Sequence, residues 1–378
     1  MQFAVHGVLP AAHIKLNRYM VKDIAPVMAF LLSMVTLTLV HPLLVKFALD
    51  KDIVDKPNAR RLNRIPIPVL GGVGIFVSSL VACLVYGVFT GVFPSIATFI
   101  SLLVILCMGV LDDIRDLKPK TKFITQIAVV LFLVLCDGLQ IDNLHGVFGI
   151  YEIPEYISLP LTVVSCVGLV NAMNLIDGID GLSSGFCILA GVICYLFAMV
   201  QGNVVNACMA VSVIGALVPF FYFNVFGKKQ KMFIGDSGSH FLGMLFAVMI
   251  MNTIHSYTPG DTTINNGIMA FTLAVMAHPV MDTLRVMTMR MLKGVSPFKA
   301  DKSHLHHVIV ALGLSHLRTT LLIVSLNLMV VAAWYTAFIS GASPTVQFLS
   351  TLSAAVVCIM APDFVAVKCL EKKSKTAS

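Results

Sequence analysis

Apolar residues fill windows of about 20 positions from one end of the 378-residue chain to the other, with short polar intervals between them. A stretch of that length crosses a hydrocarbon core as a helix, since a helix satisfies its backbone N–H and C=O groups within one segment. The windows predict eleven spans, over 24 to 49, 69 to 90, 95 to 111, 123 to 139, 157 to 175, 185 to 202, 204 to 226, 238 to 254, 265 to 286, 319 to 340 and 347 to 367. The fold class is therefore all-α, a polytopic integral membrane helix bundle. Residues 1 to 23 form an N-terminal extracytoplasmic segment, 24 to 367 a single transmembrane domain, and 368 to 378 a basic tail.

Lysine and arginine set the orientation, because short translocated loops shed positive charge and cytoplasmic loops keep it. One alternating set of loops carries Lys51, Lys56, Arg60, Arg61 and Arg64, then Arg115, Lys118, Lys120 and Lys122, then Lys228, Lys229 and Lys231, then Arg290, Lys293, Lys299, Lys302 and Arg318. The other set, around 91 to 94, 140 to 156, 203, 255 to 264 and 341 to 346, has no Lys or Arg. The asymmetry requires an odd number of spans, with the N-terminus outside and the C-terminus in the cytoplasm. Lys15, Arg18 and Lys22 before the first span are discordant with it. No A-x-A-like cleavage site precedes that span, so a cleaved signal peptide is not expected.

Composition excludes a single large soluble core. Charged residues are 12% of the chain and hydrophobic ones 58%, whereas a soluble domain needs about a quarter charged residues to cover its surface. Nine scattered cysteines form no C-x-x-C pair and read as apolar fillers. The tail KKSKTAS is placed on anionic headgroups, and no nucleic-acid partner is expected.

With that orientation, the unusual polar residues gather at the cytoplasmic helix ends. Asp112 and Asp113 close the third span, NAMNLIDGIDGLSSG closes the fifth, Asp236 in MFIGDSGSH opens the eighth, and SPFKADKSHLHH lies in the longest cytoplasmic loop. Carboxylates at a membrane boundary are costly to desolvate unless paired or bound to a cation, so they mark function. Asp112 and Asp113 also read as interfacial partners of Lys118 and Lys122, and DDIRD matches the D-D-x-x-D pattern that holds magnesium on a prenyl diphosphate. GDSGS lacks partners for a serine-protease triad and suits a phosphate or metal position at a helix start. HLHH could bind zinc, but Lys299 and Lys302 beside it favour an anion. His278 and Asp282, one turn apart, read as a structural polar pair packing the ninth helix, with Arg285 as a further partner. Acids, lysines and histidines on one face fit a metal-bridged diphosphate. A nucleotide-sugar transporter would keep its acids at mid-membrane, and an intramembrane prenyltransferase leaves GDSGS and HLHH unexplained.

The stretches DKPNARRLNRIPIPVLGG, GVLDDIRDLKPKTKFITQ, NAMNLIDGIDGLSSG, FIGDSGS and RMLKGVSPFKADKSHLHH together resemble the polyprenyl-phosphate N-acetylhexosamine-1-phosphate transferases, glycosyltransferase family 4, over about residues 50 to 310. Within that family, S-P-F followed by H-x-H-H resembles the bacterial undecaprenyl-phosphate N-acetylglucosaminyl-1-phosphate transferases. The phospho-N-acetylmuramoyl-pentapeptide transferase of peptidoglycan synthesis typically carries three consecutive histidines, a run that Leu305 interrupts here.

The resemblance implies a catalytic membrane domain with cytoplasmic active-site loops. It takes a UDP-N-acetylhexosamine and undecaprenyl phosphate, releases UMP, and leaves a lipid-linked diphosphate sugar that starts a cell-surface polysaccharide at the bacterial inner membrane. It also implies magnesium, replaceable by manganese, and is compatible with a homodimer. By position it assigns Asn174 and Asp236 to the metal, Asp112 and Asp113 to the lipid phosphate, and His304, His306 and His307 to the diphosphate. Lys122 is assigned to the phosphates, Arg290 to substrate binding as an arginine of the N-acetylglucosamine branch, Asp180 and Phe233 to the uracil, and Asp177 and Asn171 to supporting polar contacts. Asn63 departs from the pattern, since many relatives have histidine there. The lipid phosphate, with a second pKa of about 6, is largely dianionic and hardly needs a base, which favours direct in-line attack over a covalent aspartyl-phosphate route. The lipid groove is expected at the Gly-rich start of the second span, Gly71, Gly72 and Gly74, or at the ninth.

Overall fold

The computed structural model describes residues 9–55, 66–256, 266–299 and 301–377. Within these residues lie thirteen helices and two short antiparallel hairpins. The helices are α1 (Leu9–Asp50), α2 (Gly71–Thr90), α3 (Ile96–Arg115), α4 (Pro119–Asp137), α5 (Glu155–Leu175), α6 (Leu182–Gln201), α7 (Val204–Phe226), α8 (Gly235–His255), α9 (Ile268–Val275), α10 (Ala277–Leu292), α11 (Leu305–Ala311), α12 (His316–Ile339) and α13 (Pro344–Ala377). Ten of them are long and apolar enough to cross a membrane. The all-α polytopic class is borne out, and the difference from eleven spans lies in the ninth, which is broken into α9 and α10.

The break has a local cause. Pro279 lacks the N–H that would continue the ladder across Met276. Asn327 of α12 holds the open backbone: its Oδ1 accepts from the His278 N–H at 2.9 Å, and its Nδ2 donates to the Ala274 and Val275 carbonyls at 3.4 and 3.2 Å. Broken helix at membrane depth is stable only where such partners exist.

α1 begins at Leu9 and α13 runs to Ala377, so neither expected boundary, at 24 or at 367, is the end of a helix. Hydropathy reports where a chain leaves hydrocarbon, not where its helix stops. The same reason carries α3 past 111 to Arg115, which puts Asp112 and Asp113 on its last turn.

α8 is almost wholly enclosed, while α1, α4 and α13 turn most of their surface outward. Small residues allow α8 to sit centrally, as is usual where membrane helices meet closely. A Cβ on Gly72 of α2 would lie 2.2 Å from the Gly238 nitrogen, and one on Gly109 of α3 would lie 2.4 Å from the Ser237 Cα. The glycines at the start of α2 are therefore packing residues. The first donors of α2 are taken by the chain before α8: Gly71 N–H reaches the Phe233 carbonyl at 3.1 Å, and Gly72 N–H the Ile234 carbonyl at 2.9 Å.

β1 (Val54–Asp55) pairs with β2 (Ile67–Pro68) ahead of α2. β3 (Asn143–Val147) pairs with β4 (Ile150–Glu152) at the opposite end of the bundle. Asn63 and the basic residues Lys56, Arg60, Arg61 and Arg64 lie outside the described residues.

Candidate functional site

The C-terminus of α3 meets the N-terminus of α8, where unpaired backbone N–H groups need an acceptor. Asp113 supplies it. Its Oδ1 accepts from the Asp236 N–H at 2.7 Å and its Oδ2 from the Ser237 N–H at 3.0 Å. Both carboxylate oxygens are thus bound to the α8 backbone, and Asp113 is a brace for Asp236.

Asp236 faces the end of α5. Asn174 donates through Nδ2 to Asp236 Oδ1 at 2.6 Å and to Ser239 Oγ at 2.8 Å, which leaves its own carbonyl oxygen unengaged among the described residues. Asp177, just past α5, receives no side-chain hydrogen bond there. Its carboxyl is pushed up to about 8 by burial, and further by the negative charges of Asp236, Asp113 and Asp180. Asn171 is not in this cluster. One turn back inside the bundle, its amide donates to Gln126 Oε1 and to the Val167 carbonyl, both at 2.7 Å, and ties α5 to α4.

Asp112 and Lys122 form a second unit. Asp112 Oδ1 accepts from the Leu117 N–H at 2.8 Å, and its other oxygen forms an ion pair with Lys122 Nζ. A third unit lies in the loop between α5 and α6. Asp180 Oδ2 accepts from Lys231 Nζ at 2.7 Å and from His316 Nδ1 at 2.9 Å. Burial acts to raise the Asp180 carboxyl, but these two donors outweigh it and hold it below its ordinary value. Lys231 Nζ also stands 5.7 Å from the centre of the Phe233 ring, so Asp180 and Phe233 are joined through one ammonium.

The histidine motif hangs from α10. Asp282, fully buried, accepts from His304 Nδ1 at 2.8 Å, from Arg285 Nη2 at 2.8 Å and from the Leu305 N–H at 3.2 Å. Arg285 continues to Asp363 of α13 at 2.8 Å and to the Ser303 carbonyl at 2.6 Å. Among the described residues, His304 Nε2 and both ring nitrogens of His306 are buried with no partner. His306 lies over Gly178, where a Cβ would come within 2.2 Å of its Nε2, so the motif reaches the Asp177 loop. Burial pushes the His306 imidazole well below its usual range, with His307 adding to the effect. His307 is lowered as well, again chiefly by burial, and its ring lies 4.1 Å from that of His306.

Arg290 is placed differently from expectation. Its guanidinium grips Asp301 through Nε at 3.0 Å and Nη2 at 2.8 Å, and Nη1 donates to the Pro297 carbonyl at 2.7 Å. The pairing holds the Asp301 carboxyl well below the usual range. Arg290 therefore shapes the loop ahead of the histidines, and its hydrogen bonds all stay inside that loop.

Asp113, Asn174, Asp177 and Asp236 are oxygen donors, which suits a hard divalent cation. Among the described residues no three His, Cys, Asp or Glu side chains form a complete cage. Magnesium does not require one, because it is commonly held by one or two carboxylates together with substrate phosphates and water. The mutual repulsion felt at Asp177 is the charge such an ion would offset. Lys231, His316 and Asp282 were not assigned to the site from sequence. Lys231 stands two residues before Phe233, but His316 lies 136 residues beyond its partner and no local pattern marks it.

Residues 95–254 match the model of glycosyl transferase family 4. Over 302 residues the chain is 30% identical to a Bacillus subtilis (strain 168) protein named "Probable undecaprenyl-phosphate N-acetylglucosaminyl 1-phosphate transferase", covering 79% of this chain and 80% of that one. It is 29% identical over 282 residues to the undecaprenyl-phosphate alpha-N-acetylglucosaminyl 1-phosphate transferase of Escherichia coli (strain K12), covering 74% of each. The protein of that name from Yersinia pestis is 29% identical over 299 residues, 78% of each chain.

Proposed function

Since the chain belongs to glycosyl transferase family 4, we propose that it transfers N-acetylglucosamine 1-phosphate from UDP-N-acetylglucosamine to undecaprenyl phosphate. UMP leaves, and the lipid-linked diphosphate sugar starts a cell-surface polysaccharide. The reaction takes place at the cytoplasmic face of the bacterial inner membrane. The observation that carries this reading is the junction of Asp113, Asn174 and Asp236 beside Asp177, with two lysines on flanking carboxylates and the histidine motif over Gly178.

Asp236 and Asn174, with Asp177 beside them, would hold magnesium, which when bound would offset charge on the diphosphate. Lys122 has three donors, of which Asp112 needs one, so a phosphate oxygen can be received by the same ammonium. Of the pair, Asp112 is assigned to orient the lipid phosphate or to take its last proton, because its carboxylate holds Lys122, whereas both oxygens of Asp113 accept from the α8 backbone. The lipid phosphate is itself the nucleophile and attacks the β phosphorus. Charge that grows on the leaving UMP is met by Lys122 and by the unpartnered edges of His304 and His306. Lys231 between Asp180 and Phe233 orders the uracil pocket.

The test uses membranes containing the protein, labelled UDP-N-acetylglucosamine and undecaprenyl phosphate. The expected result is chloroform-soluble label with stoichiometric UMP, abolished by chelation of divalent ions and by Asp236→Ala. Label that stays in the aqueous phase with every UDP-amino sugar tried would refute the proposal. Absence of UMP exchange into UDP-sugar without lipid acceptor supports direct attack; exchange supports an aspartyl-phosphate intermediate.

A further inference from the structure

The buried cluster on α10 has a geometry that a mere packing pair does not need. We infer that Asp282 is a positioning residue for the transfer step: it holds His304 with Nδ1–H turned toward its carboxylate, so that Nε2 is the edge presented to the substrate phosphates. The inference rests on the proposed transferase reading and deepens it.

Three observations support it. The Asp282 carboxylate is fully buried and accepts from His304 Nδ1 at 2.8 Å. Its position is fixed from other sides by Arg285 Nη2 at 2.8 Å, Arg285 Nε at 3.2 Å and the Leu305 N–H at 3.2 Å. His304 Nε2 is buried and has no hydrogen-bond partner among the described residues, an arrangement that costs free energy unless a ligand completes it. The ring that a carboxylate holds through one nitrogen has its tautomer and its orientation set at the other.

Several other groups surround His304. His278 and Arg285 come from α10, and His306 and His307 from α11. Asp363 of α13 lies behind Arg285, Lys302 stands in the preceding loop, and Asp177 stands across Gly178. Of these carboxylates only Asp282 touches the ring. Asp363 therefore serves as a control, because it anchors the same network through Arg285 at 2.8 Å without contact to His304.

The experiment compares Asp282→Asn and Asp363→Asn in the full-length protein in lipid, with kcat and KM of transfer and the His304 tautomer, read by nitrogen NMR, measured for each. Asp282→Asn is expected to lower kcat by about 10- to 100-fold with a smaller change in KM. It should also release the His304 ring from the tautomer with its proton at Nδ1. Asp363→Asn is expected to change kcat much less and to leave the tautomer in place. In a His304→Gln background, Asp282→Asn should have little further effect, because the two residues act as one unit. Equal effects of the two Asp variants, an unchanged His304 tautomer in Asp282→Asn, or additivity with His304→Gln would each overturn the inference. If Asp282→Asn does not fold, the paired variant Asp282→Asn with Arg285→Gln removes both buried charges and is read in the same way. If the wild-type protein transfers no sugar phosphate, the functional reading fails. The His304 tautomer, read by nitrogen NMR of histidine-labelled wild type and Asp282→Asn, then decides this inference separately, and an unchanged tautomer overturns it.

Discussion

Asp112 and Asp113 are adjacent and chemically identical, yet the structure gives them different work, and substitution by asparagine separates the two. In Asp112→Asn the Oδ1 acceptor for the Leu117 N–H survives, while the charge facing Lys122 is lost and the new NH2 group turns a donor toward that ammonium. Lys122 is part exposed and turns to water, and loss of the buried charge offsets part of the unpaired NH2, so the cost is about 1 kcal/mol. In Asp113→Asn one of the two oxygens that accept from Asp236 and Ser237 becomes an NH2 group and meets an N–H donor. Loss of a helix-capping acceptor costs about 1 kcal/mol. If the buried Ser237 N–H is the group left unpaired, about 1–3 kcal/mol is added. Relief of repulsion with Asp236 returns part of this, and the net loss is about 2–3 kcal/mol. Unfolding can be followed with a thiol-reactive fluorophore, because Cys166, Cys187, Cys194 and Cys208 are free and buried. Both variants are expected to lose transfer activity, but only Asp113→Asn should lower the unfolding midpoint by several degrees. An unchanged midpoint for Asp113→Asn, or a larger fall for Asp112→Asn, would refute the division.

Gly72→Ala drives a methyl group against the Gly238 backbone, which cannot swing aside as a side chain would, and the strain is expected to exceed about 3 kcal/mol and abolish recovery of folded protein from membranes. Asn327→Leu removes the acceptor for His278 N–H and the donor to Ala274 and Val275, and a loss of about 2–4 kcal/mol should appear as a lower unfolding midpoint. The Asp180 carboxyl is held low, so its contribution to stability is present above the unfolded value of about 3.9 and is lost as pH falls through the lower folded value. Lys231→Met removes one of the two donors responsible, and stabilisation of the protein by UDP should then fail at a higher pH than in wild type.

Most of the bundle was legible because its rules are one-dimensional. Val204–Phe226 matches its predicted window to the residue, and the other unbroken spans differ mainly at their ends. The break in the ninth span was not visible, because Pro279 alone does not break a helix; it takes Asn327, 49 residues beyond His278, to satisfy the open backbone. Pairing of the site acids was equally hidden. Asp112 with Lys122 lies within reach of a local pattern, whereas Asp113 on α8 and Asp180 on His316 span 123 and 136 positions. Asn171 shows the opposite failure. Its place in the polar run suggested the site, but its amide faces Gln126 inside the bundle.

The carboxylates at this end of the bundle fall into two groups. Asp112, Asp180, Asp282 and Asp301 each face a cation of the chain itself: Lys122, Lys231, Arg285 and Arg290. Asp113, Asp177 and Asp236 form no ion pair among the described residues, and burial, with the repulsion of its neighbours added, pushes the Asp177 carboxyl to about 8. A chain this apolar could have placed a third lysine there, as it did at Lys122 and Lys231. Three carboxylates without a cation destabilise the folded chain when they are all ionised, so their retention together points to a positive charge that arrives from outside. A divalent ion fits that role, and it explains why Asp113 binds the α8 backbone: the brace fixes Asp236 against its neighbours before any ion or substrate is present. The expected consequence is that magnesium raises the unfolding midpoint of wild type without nucleotide. In Asp236→Asn, where one charge of the three is gone, the metal-free protein should be at least as stable as wild type and gain little from the ion. A full magnesium effect in that variant would show that the ion acts elsewhere.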